Sequence, residues 1–182
     1  PSYYQRQTLL PQSEQRDSII NILFKGARKP VFTSGNAQNH LITLAEVLSM
    51  YLLVWSPTLW RVIGKDWKVL PESLEEKFHS RWHAESQCIE QFTLQLEEVA
   101  RGLAHVPVAM IFDDHDVTDD WNLSADWEQT AYSNPLSKRM IGNAILAYLV
   151  CQGLGNCPER FDEGLQDKVR EALRKPGGHV HD

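Results

Sequence analysis

The sequence predicts a mainly α chain of about five to six helices, one of them long, with one or two short β-strands. Three observations predict this. Apolar residues recur every three or four positions over residues 41–55, 74–103 and 140–149, the spacing that lines one face of a helix. Helix punctuation such as Gly26, Pro57 and Asn134-Pro135 falls where these periods start or stop. One stretch alone, "VPVAMIF" at 106–112, is short, continuously apolar and bounded by Pro107 and a run of acid, as a buried strand is.

Residues 13–25 carry Ile19, Ile22 and Leu23 on one helical face, and Gly26 suits the residue just past its end. Residues 30–38, "PVFTSGNAQ", read as a loop or short extended piece. From Asn39 the positions Leu41, Leu44, Leu48, Tyr51 and Trp55 form a stripe that Pro57 ends, or restarts as a short second helix. The strongest period starts at Ser73, a candidate N-cap, and runs through Leu74, Phe78, Trp82, Glu85, Ile89, Phe92, Leu96, Val99 and Leu103 to about His105. It predicts one long helix.

After the 106–112 strand and an acidic loop, Asn134 and Pro135 supply an N-cap and first residue. The helix they open carries Met140, Ile141, Ala144, Ile145, Tyr148 and Leu149 and is expected to stop at Gly153 and Gly155. A last amphipathic helix covers about 160–174, before Pro176. A lone strand leaves its backbone groups unpaired. It must pair with weak strands near 30–34, or its sheet lies in sequence beyond this chain. The expected organisation is a helical subdomain at 1–105, strand plus acidic loop at 106–133, and a helical segment with a flexible tail at 134–182.

The chain has 182 residues, a formal charge of −6, 42% hydrophobic and 23% charged residues. That is globular composition. The acidic balance, with no basic stripe interleaved with aromatics, argues against a nucleic-acid partner. The longest apolar run is too short to cross a bilayer, and no secretory signal is visible. Three cysteines are too few and too odd in number for a disulfide framework, which favours a reducing, cytoplasmic setting. The chain begins at Pro1 and ends in "GGHVHD", which reads as a piece of something longer. Apolar surface meant for the missing part would then favour a homodimer.

The chemistry concentrates in "AMIFDDHDVTDDWNLS", residues 109–124. Residues 113–128 hold seven carboxylates and no Lys or Arg. Their repulsion must be relieved by water, protonation or a cation. Adjacent carboxylates offer oxygen ligands to a hard ion, and a neighbouring histidine can complete the set or act as a general acid. An EF-hand loop is ruled out by spacing: counting from Asp114 puts Asp119 where Gly is required and Ala125 where Glu is required, and counting from Asp116 puts tryptophans there. The plain alternative is a solvated acidic turn.

"MIFDDHDVTDDWNL" resembles the signature of the PhoD-like (alkaline phosphatase D) branch of the calcineurin-like metallophosphoesterases. "HLITLAEVLSMYLLVWSPTLW" and "SNPLSKRMIGNAILAYLVCQGLGN" resemble helical parts of bacterial members, so the similarity covers essentially the whole chain. It implies that the parent is an α/β four-layer sandwich hydrolysing phosphate mono- or diesters with divalent or trivalent metal ions, iron, calcium, zinc or manganese. The wider superfamily has Gly-Asn-His-Asp/Glu at this place. Asp114 falls on the metal-binding Asn, His115 on the His that contacts phosphate or protonates the leaving group, and Asp113 on the Gly. The resemblance therefore implies Asp114, with Asp113 beside it, as metal ligands and His115 as the catalytic contact. Asp116 orients His115 or the turn, and Trp121 and Asn122 serve packing and positioning.

The family's upstream Gly-Asp-x-x-Tyr motif has no counterpart, since no Gly-Asp pair occurs, and no strand precedes His179 or His181. The expectation is an incomplete site and a chain inactive by itself. A second reading is a non-enzymatic helical interaction or regulatory domain whose acidic turn holds a structural cation. Elsewhere, His79 and His83 have metal-binding spacing but flank the Phe78/Trp82 stripe, as polar residues beside a core do. Trp55, Trp60, Trp67 and Trp82 read as core, and Cys88 as packing rather than a nucleophile.

Overall fold

The computed structural model describes residues 40–64 and 66–174. The expected helix at 13–25, the loop at 30–38 with its candidate strand, and the tail with His179 and His181 lie outside the described residues. Within them the chain is mainly helical. Six helices are α1 Leu44–Trp55, α2 Pro57–Ile63, α3 His79–Leu103, α4 Ala125–Ser133, α5 Pro135–Tyr148 and α6 Glu163–Arg174. The chain divides into two compact units. One is Leu48–Val108; the other takes the described residues up to Val47 and from Ala109 on.

Local chemistry explains where the helices start. α1 begins at Leu44 rather than at Asn39 because Thr43 and Glu46 close a capping box. Thr43 Oγ1 accepts from Glu46 N at 3.2 Å, and Glu46 Oε2 accepts from Thr43 N at 2.9 Å. α2 is opened by Ser56, whose hydroxyl accepts from Thr58 N, with Pro57 as first residue. It ends at Gly64, whose φ of +67° is open to glycine at little cost.

In the 48–108 unit, α2 and α3 are tied by ion pairs from Arg61 to Glu97 and, just after α2, from Lys68 to Glu90. α3 starts five residues later than an N-cap at Ser73 predicts. Pro71 and Leu74 make a turn, and residues 76–78 form a separate 3₁₀ turn before it. Along α3 the expected stripe closes fully only at Leu96, at 2% exposure, whereas Ile89, Phe92 and Val99 are exposed. Glu85, the polar break in the stripe, is exposed and takes an ion pair from Arg81. Two packing expectations are corrected here: Trp55 and Cys88 are both exposed. Trp60 and Trp67 do pack edge to face at 5.7 Å, and the Trp60 indole donates to Leu53 O at 2.7 Å.

The other unit contains the core that carries the acidic turn. Val117, Trp127, Ala131, Met140, Ile141 and Ala144 are buried together, with Ile42, Phe112 and Trp121 against them. Asn143 Nδ2 donates to Ile42 O at 2.9 Å, binding the approach to α1 to α5. Ser124 Oγ accepts from Trp127 N to open α4. Asn134 closes α4 and opens α5, its Oδ1 accepting from Leu136 N and Ser137 N. That N-cap and Pro135 stand where the sequence puts them. α5 does not stop at the glycines. It passes into a π turn, Leu149–Gly153, and a last helical turn, Leu154–Asn156. Asp162 Oδ1 accepts from Leu165 N at 2.8 Å to start α6.

No strand occurs among the described residues. The segment 109–112 leads into the acidic turn without a ladder. The Asn156 side chain takes the place of a neighbouring strand at Met110: Oδ1 accepts from Met110 N at 2.8 Å, and Nδ2 donates to Met110 O. Phe112 is anchored between the rings of Tyr148, at 4.4 Å, and Trp121, at 5.5 Å.

Candidate metal centre

The acidic turn is built by its own hydrogen bonds. Asp114–Asp116 form one 3₁₀ turn, and Asp113 and Asp116 cap it reciprocally. Asp113 Oδ1 accepts from Asp114 N, and Asp116 Oδ2 accepts from Asp113 N, each at 2.8 Å. Val117 and Thr118 follow and are buried, so the turn is pinned to the core immediately after its last acid. The chain then reverses through Asp120 at φ 62° and Asn122 at φ 57°. Both are residue types that tolerate the left-handed region because their short polar side chains bond locally. Asp120 N donates to Asp114 Oδ2 at 3.0 Å, which folds the second half of the loop over the first.

His115 projects outward, with a side chain two-thirds exposed, and carboxylates surround its ring. Nδ1 lies 3.1 Å from both Asp113 Oδ2 and Asp114 Oδ1, and Nε2 lies 3.5 Å from Asp119 Oδ1. The Asp113 hydrogen bond, and then the Asp114 charge, hold the imidazole's proton above its ordinary pKa. Asp113 is held below the usual carboxylate value, first by a side-chain hydrogen bond with Asp114 and then by His115. Both shifts run toward an imidazolium–carboxylate pairing.

The candidate residues fall into two groups. Asp113, Asp114 and His115 come together: one ligand atom from each lies within 4.8 Å of the others. Metal–oxygen distances near 2.3 Å and metal–nitrogen distances near 2.1 Å allow one ion to reach all three. The set therefore fits a cation as three donors, with the Nδ1 proton the thing displaced. Asp116 is turned to Asp113's backbone rather than to His115. Trp121 and Asn122 meet at Tyr132 on α4, whose hydroxyl accepts from Trp121 Nε1 at 3.2 Å and donates to Asn122 Oδ1 at 2.7 Å.

Three contributors escape a reading of the sequence. Asp119, four residues beyond His115, is marked only by its place in the acid run. Tyr132 and Asn156 carry no local signal. His79, whose Nε2 lies 3.0 Å from Leu74 O, and His83 are not among the clustered ligand groups of the described residues. The chain matches no family model, no curated protein and no solved structure.

Proposed function

We propose that the acidic turn serves metal-dependent hydrolysis of phosphate esters, and that this chain supplies one corner of the metal site in a phosphoesterase similar to the PhoD-like branch. The observation that carries the reading is the convergence of Asp113, Asp114 and His115 within 4.8 Å, at the very residues on which the resemblance rests. Asp114 has one oxygen engaged by Asp120 N and the other turned to the cluster, which suits it to hold an ion. Metal ions bound there supply Lewis acidity toward phosphoryl oxygens and hydroxide for in-line attack. His115 is exposed, and its Nε2, turned away from the Nδ1 ligand position and 3.5 Å from Asp119 Oδ1, is suited to give a proton to the departing oxygen. Asp113 and Asp116 keep the turn's shape through their reciprocal caps.

The alternative is a helical interaction or regulatory domain whose acidic turn holds a structural cation, for which the same three clustered donors would serve. Two measurements separate the readings. Mn²⁺ titrated into the isotope-labelled chain is expected to broaden His115 and Asp114 resonances first, and Asp114→Ala, which leaves no side-chain oxygen, to remove the effect at His115. Inorganic phosphate added to the loaded chain is then expected to show phosphorus relaxation beyond that caused by free Mn²⁺. Broadening spread evenly over Asp126 and Glu128 would end both metal readings. Selective broadening without a phosphate effect would leave the structural cation.

A further inference from the structure

We infer that Asn156 is a positioning residue for the acidic turn, and that the π turn preceding it sets its aim. With partners among the described residues, the backbone hydrogen bonds of 106–112 are the two that Met110 makes with the Asn156 amide. Met110 stands three residues before Asp113, where the capping box begins. Phe112, between them, is wedged against Tyr148 and Trp121. The lead-in to the turn is therefore gripped twice from one continuous helical stretch, by Tyr148 at the end of α5 and by Asn156 at the end of the short turn beyond.

Helix geometry explains why both grips fall on one side. An α-helix advances about 100° per residue, so eight residues of unbroken helix would set Asn156 about 80° away from Tyr148. The π turn at Leu149–Gly153, where Leu154 N bonds back to Leu149 O, takes in one extra residue. The register past it is that of seven α steps, which brings the two side chains within about 20° of each other. Such turns recur at functional sites. Gly153, at φ −59°, is inside it and does not terminate the helix.

The link from Asn156 to catalysis rests on the phosphoesterase reading; its grip on the turn does not. Amide hydrogen exchange on the 182-residue chain therefore tests the inference first. Asn156→Ala is expected to speed exchange about tenfold at Met110, Asp113 and Asp120, the size of losing a pair of amide hydrogen bonds. Core amides of α5, such as Ile141 and Ala144, should change under about twofold. Asn156→Asp keeps an acceptor for Met110 N but has no donor for Met110 O, and is expected to fall between. Asn156→Ala should also weaken Mn²⁺ broadening of His115 about tenfold, as loss of an outer support to a metal site does. Exchange that rises at Met110 alone, or uniformly along α5, overturns the positioning role. If the unaltered chain gathers no Mn²⁺ at His115, the phosphoesterase reading fails, and the exchange pattern still decides the role of Asn156.

Discussion

Val117 is the point where the acidic turn meets the core, and truncating it tests that attachment directly. The side chain is 5% exposed and packs in the cluster with Trp127, Ala131, Met140, Ile141 and Ala144. Val117→Ala removes two methyl groups, worth about 0.8 kcal/mol each in transfer terms, or about 1.6 kcal/mol. The cavity left among residues fixed on two helices adds up to a similar amount, for a total of about 2–3 kcal/mol. A domain of this size loses about 3–4 °C per kcal/mol, so the melting midpoint should fall by about 10 °C. Urea unfolding followed by circular dichroism gives the free energy, with an unchanged slope marking a change in stability alone. Ile111→Ala is the internal control. It removes more carbon, yet Ile111 is 88% exposed in the same unit, and the expected cost is under about 0.5 kcal/mol. Equal losses from the two variants would refute the burial reasoning, as would a Val117→Ala chain that unfolds with the unaltered one.

Two further outcomes follow from the same geometry. His115, its pKa raised first by the Asp113 hydrogen bond and then by Asp114, should titrate by NMR above its ordinary value, and Asp113→Asn should bring the midpoint down. The sign follows: this pairing stabilises fully below the unfolded imidazole's pKa and is lost as pH rises through the raised folded value. The depressed Asp113 contributes above the unfolded carboxylate's pKa and is lost as pH falls through its folded value. The pairing is strongest between the two losses, and added salt should shrink it because the groups are exposed. Asn134→Ala removes the acceptor for Leu136 N and Ser137 N and should cost about 1 kcal/mol in urea unfolding, while Asn134→Gly should cost a few tenths.

What could be read from the sequence was what local chemistry decides. Asn134-Pro135 is a cap signal and Pro57 a break signal whose meanings need no distant residue, and helices open at both. The start of α3 is hidden because Leu74 and Phe78 continue the helical spacing through residues that instead make tight turns. α4 carries no visible period, because nine residues with two buried positions, Trp127 and Ala131, are too brief to stand out from an acidic loop. Gly153 reads as a stop, yet helical φ is as open to glycine as the left-handed region. The 106–112 run looks like a strand because its composition reports only an extended apolar path. Its partner at Met110 is a side-chain amide 46 positions away, which no periodicity can announce. In the turn, the juxtaposition of Asp113, Asp114 and His115 follows from adjacency. The turning of Asp116 to Asp113's backbone, and the reach of Tyr132 to Asn122, required the fold.

The single residue shared by α4 and α5 has a consequence for how this chain tolerates change. Asn134 ends one helix with its own N–H bonded to Ala131 O and begins the next with its side chain, so the joint has no spare length. Insertions succeed at exposed loop tips, where no backbone bond depends on the count of residues. From Ala125 to Asn156 the chain passes from helix to helix through that one residue and a π turn, and offers no such tip. A tag, a lengthened connection or a chain break placed there would desynchronise every side chain downstream, Tyr148 and Asn156 included. The exposed connection at 106–109, which makes no turn hydrogen bond among the described residues, is where a fusion or a new terminus should be accommodated.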